Sequence, residues 1–129
     1  MPAYDLIIRN GIVVSDGRQR RADVAVAGET IAALGETLEG QAREVIDAAG
    51  CYVFPGFIDP HVHLSLPVGD MVSSDDFASG TVAAACGGVT TVIDFTTQPR
   101  GVPLGQAVEQ RRAQADGRVA VDYGLHLTV

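Results

Sequence analysis

The 129-residue chain contains no lysine: all nine of its basic residues are arginines, so every permanent cation on it is a guanidinium. Basic side chains are also outnumbered, nine against sixteen acidic ones for a net charge of -7, which excludes a protein that tracks nucleic-acid phosphates. Cysteine is scarce. Cys51 and Cys86 lie far apart and read as reduced structural thiols rather than as a secreted disulfide framework. No apolar run approaches the roughly 18 residues of a membrane span, and the opening MPAYDLIIRNG has no basic stretch leading into an apolar one. A soluble, cytoplasmic protein with neither membrane nor nucleic acid as partner is expected. Hydrophobic residues make up 47% and charged residues 19% of the chain, a composition that buries a core rather than staying disordered. The length allows one domain, or a small domain plus part of another.

The first fifty residues read as short strands divided by turn residues. Tyr4 to Arg9 and Ile12 to Ser15 flank the Asn10-Gly11 pair, and Asp16-Gly17 closes the second. Ala22 to Ala27, Thr30 to Leu34 and Glu44 to Asp47 follow, with a turn at Gly28-Glu29 and a stop at Gly35. No useful helix fits there, so a small antiparallel sheet or half-sandwich is expected. From Cys51 the pattern changes. Tyr52 to Asp59 forms one apolar strand-like run into Pro60-His61-Val62-His63, and a polar loop continues to about Ser74. Asp75 to Ala85 reads as a helix capped by Ser74 or Asp75, acidic in its first turn and stopped by Gly87-Gly88. Val89 to Phe95 reads as a strand buried on both faces. Pro103 to Ala115 is a second helix whose wet side carries Glu109, Gln110, Arg111 and Arg112, and Val119 to Val129 is a third strand. The order is βαβαβ, hence parallel strands with right-handed crossovers in an α/β fold.

His61 and His63 carry the clearest chemistry. Strand side chains alternate with period two, so both imidazoles point the same way from the end of a strand, where parallel folds place their sites. Imidazole nitrogen suits zinc, although two histidines leave a catalytic site short of its usual three protein ligands. Asp59, just upstream, reads either as an acceptor that orients a histidine or as a cap for the next loop. His126, between Leu125 and Leu127, reads as a hydrogen-bonded core histidine, and Asp94 as the centre of a structural hydrogen bond. Thr90, Thr91, Thr96 and Thr97 need no role beyond strand formation. Cys86 has no neighbour in sequence that would lower its pKa.

The segment Phe54 to Leu64, FPGFIDPHVHL, resembles the first barrel strand of the amidohydrolase superfamily, and the strands before it resemble that superfamily's small β-sandwich. Ser74 to Thr81 (SDDFASGT), Ala85 to Phe95 (ACGGVTTVIDF) and Asp122 to Leu127 (DYGLHL) together resemble dihydropyrimidinases and D-hydantoinases. The resemblance implies β-sandwich strands over 1–51, then over 52–129 the first three strands and two helices of a metal-dependent (β/α)8 TIM barrel. It implies a zinc-dependent hydrolase that opens dihydropyrimidine or hydantoin rings to N-carbamoyl amino acids. Two zinc ions bridged by a carbamylated lysine, with His61 and His63 on the more buried ion, a small cyclic amide substrate and a homotetramer come with it. Dihydroorotases carry an arginine just after the histidine pair to hold the substrate carboxylate; Leu64-Ser65-Leu66 stands there instead and favours a neutral ring. Leu66 and Val68 fall where hydantoinases place apolar loop residues that shape the substrate pocket.

A (β/α)8 barrel takes about 250 residues, and the chain accommodates at most three of its strands. The family's bridging lysine is expected on the fourth strand, beyond Val129, with the later histidines and the catalytic aspartate further on, so no catalytic residue is assigned here. The chain is therefore expected to be the N-terminal part of a longer hydrolase, inactive alone, with an open strand edge. The alternatives are a non-catalytic structural or interaction fragment of a dihydropyrimidinase-like protein, and another cyclic amidohydrolase such as a dihydroorotase or allantoinase.

Overall fold

Asn10-Gly11, expected to turn the chain between two short strands, instead bends one long strand, β1 (Tyr4–Ser15). Asn10 takes φ 62°, in the left-handed region that asparagine tolerates, and the pairing register shifts between Ile8 and Gly11. An Asn-Gly pair serves a bulge as well as a hairpin, and here the neighbouring strand runs past on both sides of it. The computed structural model describes residues 4–128, and the chain divides into two units, Met1–Pro55 and Gly56–Val129.

In the first unit, β1 is the central strand. A turn at Asp16-Gly17, both at positive φ, leads into β2 (Arg18–Ala27), which runs antiparallel to β1, and β3 (Thr30–Gly35) pairs antiparallel with β2. The chain then crosses to the far side of β1. There β4 (Ala42–Asp47) and β5 (Tyr52–Val53) both pair with β1 in parallel. The five-stranded sheet is therefore mixed rather than antiparallel, because a strand that arrives by crossing over β1 runs along it instead of folding back. Val13, Ala22 and Val24 are buried together, with Ile8 and Val53 packed on them. Gly11 allows this approach: a Cβ there would stand 2.5 Å from Val53 Cγ2.

The apolar run from Tyr52 is thus two strands. β5 stays with the first unit, Pro55-Gly56 breaks the run, and β6 (Phe57–Val62) opens the second unit. The expected polar loop contains a small hairpin, β7 (Pro67–Val68) with β8 (Met71–Val72), turned through Gly69 at φ 61°. Helix α1 (Phe77–Cys86) starts two residues later than expected. Its N-cap is Asp76, which accepts the Ser79 N–H at 2.8 Å while its own N–H donates to Ser79 Oγ at 3.1 Å, so the acidic pair precedes the first turn rather than lying in it. Gly88 at φ 84° supplies the left-handed stop.

Next come β9 (Val89–Thr97), α2 (Leu104–Ala115) and β10 (Asp122–Thr128). The strands form a parallel sheet in the order β10-β9-β6, as βαβαβ requires. β10 starts three residues later than expected, because Val119 packs into the helix-side core instead, and Val129 lies outside the described residues. Leu64, Phe77 and Ala115 form that core with Val62 and Tyr123. Strand β9 is not buried on both faces. Val92, Asp94 and Thr96 are buried, whereas Ile93 and Phe95 opposite are half-buried, since among the described residues no layer covers that side. Among the described residues β6 and β10 each have one strand neighbour, and Ile58 and Leu127 beside those edges are exposed.

Candidate metal centre

The geometry of the histidine pair starts with an irregularity in β6. Asp59 pairs with Val92 and Val62 with Asp94, so β6 carries one more residue than β9 between these pairs. Pro60 lies in the extra stretch, where a residue without an N–H costs no ladder bond. The Asp59 carboxylate accepts the His61 backbone N–H at 3.1 Å, holding the main chain at the bulge. His61 and His63 emerge together and exposed, with Nε2 atoms 3.2 Å apart and ring centroids 5.0 Å apart.

Phe95 lies beneath both rings, 4.5 Å from His61 and 5.0 Å from His63 between centroids, and 4.9 Å from the ring of His126 on its other side. The parallel ladder explains this. Phe95 is opposite His126, and it follows Asp94, the partner of Val62. His126 is therefore an exposed residue of the histidine face, its Nε2 3.2 Å from the Pro60 carbonyl oxygen, and not the core histidine expected; the face that would have buried it is the uncovered one. Phe95 carried no role in the sequence reading, although alternation along β9 from Asp94 places it on the face of the histidines.

Behind the pair lies a buried cluster. Asp94, fully buried, accepts the Leu64 N–H at 3.0 Å and a bond from Arg111 Nε at 2.6 Å. Arg111 also donates through Nη2 to the Leu64 carbonyl and stands 4.6 Å over the Phe77 ring. Asp94 is thus a structural hydrogen-bond centre as expected. Arg111 is not part of the wet side of α2: its side chain is 12% exposed, because the Asp94 carboxylate across the helix–sheet interface draws it inward.

Beyond Leu64, Ser65 adopts φ 48° and donates its N–H to the Asp75 carbonyl at 2.7 Å, and Leu66 donates to Ser73 Oγ at 2.8 Å. Leu66 is half-buried and lines a cavity of about 400 Å³ together with Phe95, Thr96 and Arg111. Val68, on the β7–β8 hairpin, is exposed and outside that lining. Cys51 and Cys86 are both free and exposed, so neither has the packing role expected of it.

Two nitrogens about 2.0–2.1 Å from one tetrahedral zinc ion lie roughly 3.3 Å apart, and the 3.2 Å between the two Nε2 atoms matches that bite. The donor set fits half of such a site. Among the described residues, no group of three His, Cys, Asp or Glu side chains is placed to hold a metal. None of the described helices is long and apolar enough to cross a membrane.

Residues 52–128, more than half of the chain, match the amidohydrolase family. The chain belongs to that family. It is 48% identical over 123 residues to the D-hydantoinase of Geobacillus stearothermophilus, an alignment that takes in 95% of this chain and 26% of that enzyme. The D-hydantoinase of Ralstonia pickettii is 46% identical over 125 residues, 97% of this chain and 27% of that enzyme. The crystal structure of dihydropyrimidinase from Brevibacillus agri NCHU1002 superposes with a TM-score of 0.91 at 46% identity, again over 95% of this chain and 27% of the other. The resemblance to hydantoinases and dihydropyrimidinases thus extends along nearly the whole chain, which spans about a quarter of the length of these relatives.

Proposed function

We propose that this amidohydrolase chain carries the first part of a zinc-dependent cyclic amide hydrolase that opens hydantoin or dihydropyrimidine rings to N-carbamoyl amino acids. The observation that carries the reading is the His61–His63 pair, with Nε2 atoms at the bite of one metal ion, in a chain 48% identical to a D-hydantoinase. His61 and His63 are two of the metal donors, and the remaining donors and the catalytic aspartate lie on other residues of the full-length protein. Zinc, when bound, lowers the pKa of water to about 7 and polarises a carbonyl, which an unreactive ring amide requires.

The chain's own residues prepare that chemistry. The Asp59 carboxylate fixes the main chain at His61, and Phe95 packs against both rings, limiting their rotation. Leu64-Ser65-Leu66 offers no cation for a substrate carboxylate, which favours a neutral ring over dihydroorotate. Leu66, on the cavity, and Val68, on the hairpin, shape the space for the ring substituent. The strands β1 to β5 of the first unit are part of a small β-sandwich, and the second unit from β6 onward is the opening of a (β/α)8 barrel, in a protein that assembles as a homotetramer. Alone, the 129-residue chain holds two donors and no lysine, and is inactive.

The test is ring opening of hydantoin, dihydrouracil and dihydroorotate by the full-length protein. Turnover of the two neutral rings, falling more than about a hundredfold in His61→Ala and in His63→Ala, is expected. Turnover of dihydroorotate alone would move the reading to a dihydroorotase. Turnover indifferent to both substitutions would remove the histidine pair from the chemistry.

A further inference from the structure

We propose that Arg111, acting with Asp94, is a positioning residue for His63, so that a buried ion pair on the far side of the sheet sets the bite of the metal-binding pair. The inference rests on the zinc reading of His61 and His63. His63 lies just beyond the last residue of β6, where the ladder no longer holds the main chain. Its two neighbours are both tied to Asp94. Val62 pairs with Asp94 through the ladder, and the Leu64 N–H donates to the Asp94 carboxylate at 3.0 Å. The Leu64 carbonyl is held in turn by Arg111 Nη2, while Arg111 Nε binds the same carboxylate at 2.6 Å. Both backbone polar groups of Leu64, in the two successive peptide units that flank its Cα, are therefore taken up by one ion pair.

A buried ion pair is a poor device for stability, because desolvation offsets its attraction and apolar side chains of similar volume often serve as well. It is a good device for fixing a position. The rigid fork of a guanidinium binds two acceptors at set distances and angles. A metal site tolerates displacements of only about 0.5 Å before it loosens, and His61 Nε2 and His63 Nε2 have to stay near their 3.2 Å separation. Ser65, at φ 48° directly after Leu64, shows how tightly the chain turns away from the pair at this point.

The test uses the full-length protein with cobalt(II) as probe. Arg111→Lys keeps a cation beside Asp94 but cannot hold the carboxylate and the Leu64 carbonyl together in fork geometry. Val119→Ala trims the same core at a residue outside the Asp94–Arg111–Leu64 hydrogen bonds and the Phe77 ring contact, and is the stability control. For Arg111→Lys, cobalt(II) affinity is expected to fall about tenfold, with a changed visible spectrum and faster amide exchange at Leu64, and to fall less in Val119→Ala at equal loss of thermal stability. Equal weakening in the two variants overturns the positioning role, as does parental affinity and spectrum in Arg111→Lys. A parent protein that takes up no cobalt(II) overturns the zinc reading and, with it, the role of the pair. Binding by the parent with Arg111→Lys indistinguishable from it overturns the positioning role alone.

Discussion

Asp23 offers a sharp test of how the first unit holds together. Its carboxylate is buried and accepts the Asn10 N–H at 2.9 Å, the Leu38 N–H at 3.1 Å and an Arg9 guanidinium bond at 3.1 Å. One side chain on β2 thus fixes the β1 bulge and the segment after β3. In Asp23→Ala, two part-buried backbone donors lose their acceptor at roughly 1 kcal/mol or more each, and the half-exposed Arg9 loses a partner for under about 1 kcal/mol. A destabilisation of about 2–4 kcal/mol is expected, read from guanidinium unfolding by circular dichroism and located by faster amide exchange at Asn10 and Leu38. The Asn10 N–H, then the Leu38 N–H and Arg9, hold this carboxyl below the usual range against the opposing effect of burial. A folded pKa below the unfolded one, near about 3.9, makes a contribution that is complete above the unfolded value and is lost as pH falls through the folded one. The parent should lose stability below about pH 4, and Asp23→Ala should show a flatter acid limb. A loss under about 1 kcal/mol with an unchanged acid limb would refute the reasoning.

Two further substitutions probe the two cores. Phe77, 2% exposed, packs with Leu64 and beneath the Arg111 guanidinium, so Phe77→Ala should cost about 3–5 kcal/mol in denaturant unfolding. A cost below about 1.5 kcal/mol would mean that the cluster repacks freely. In Gly11→Ala the new methyl meets the stiff Val53 side chain at 2.5 Å, and a loss of about 1–3 kcal/mol is expected, accompanied by faster exchange of the Ile12 amide that bonds the Cys51 carbonyl. Unchanged stability there would show that β5 moves aside.

The parts of the fold legible in sequence are those set by local signals. Gly87-Gly88 and the β-branched run after it mark the end of α1 and the start of β9, and the alternation of strand and helix forces the parallel sheet. The Asn10-Gly11 pair misleads because bulge and turn need the same left-handed conformation, and only the partner strand decides between them. The direction of β4 depends on which side of β1 the chain crosses to, which no local pattern encodes. His61 and His63 are legible because period two fixes their common face. Arg111 is not, since its partner Asp94 is seventeen residues away on another element and a helical arginine defaults to the wet side. His126 is misplaced through the assumption that a parallel strand is covered on both faces, when the described residues cover β9 on one.

The most direct test of the central claim, that His61 and His63 bind a catalytic metal, is the metal content of the purified full-length protein by inductively coupled plasma mass spectrometry, beside that of the His61→Ala/His63→Ala double variant. Stoichiometric zinc in the parent and loss of at least one ion per chain in the double variant, with the fold retained by circular dichroism, is the expected result. A double variant that keeps the parental zinc, or a parent that carries none after growth in zinc, would contradict it.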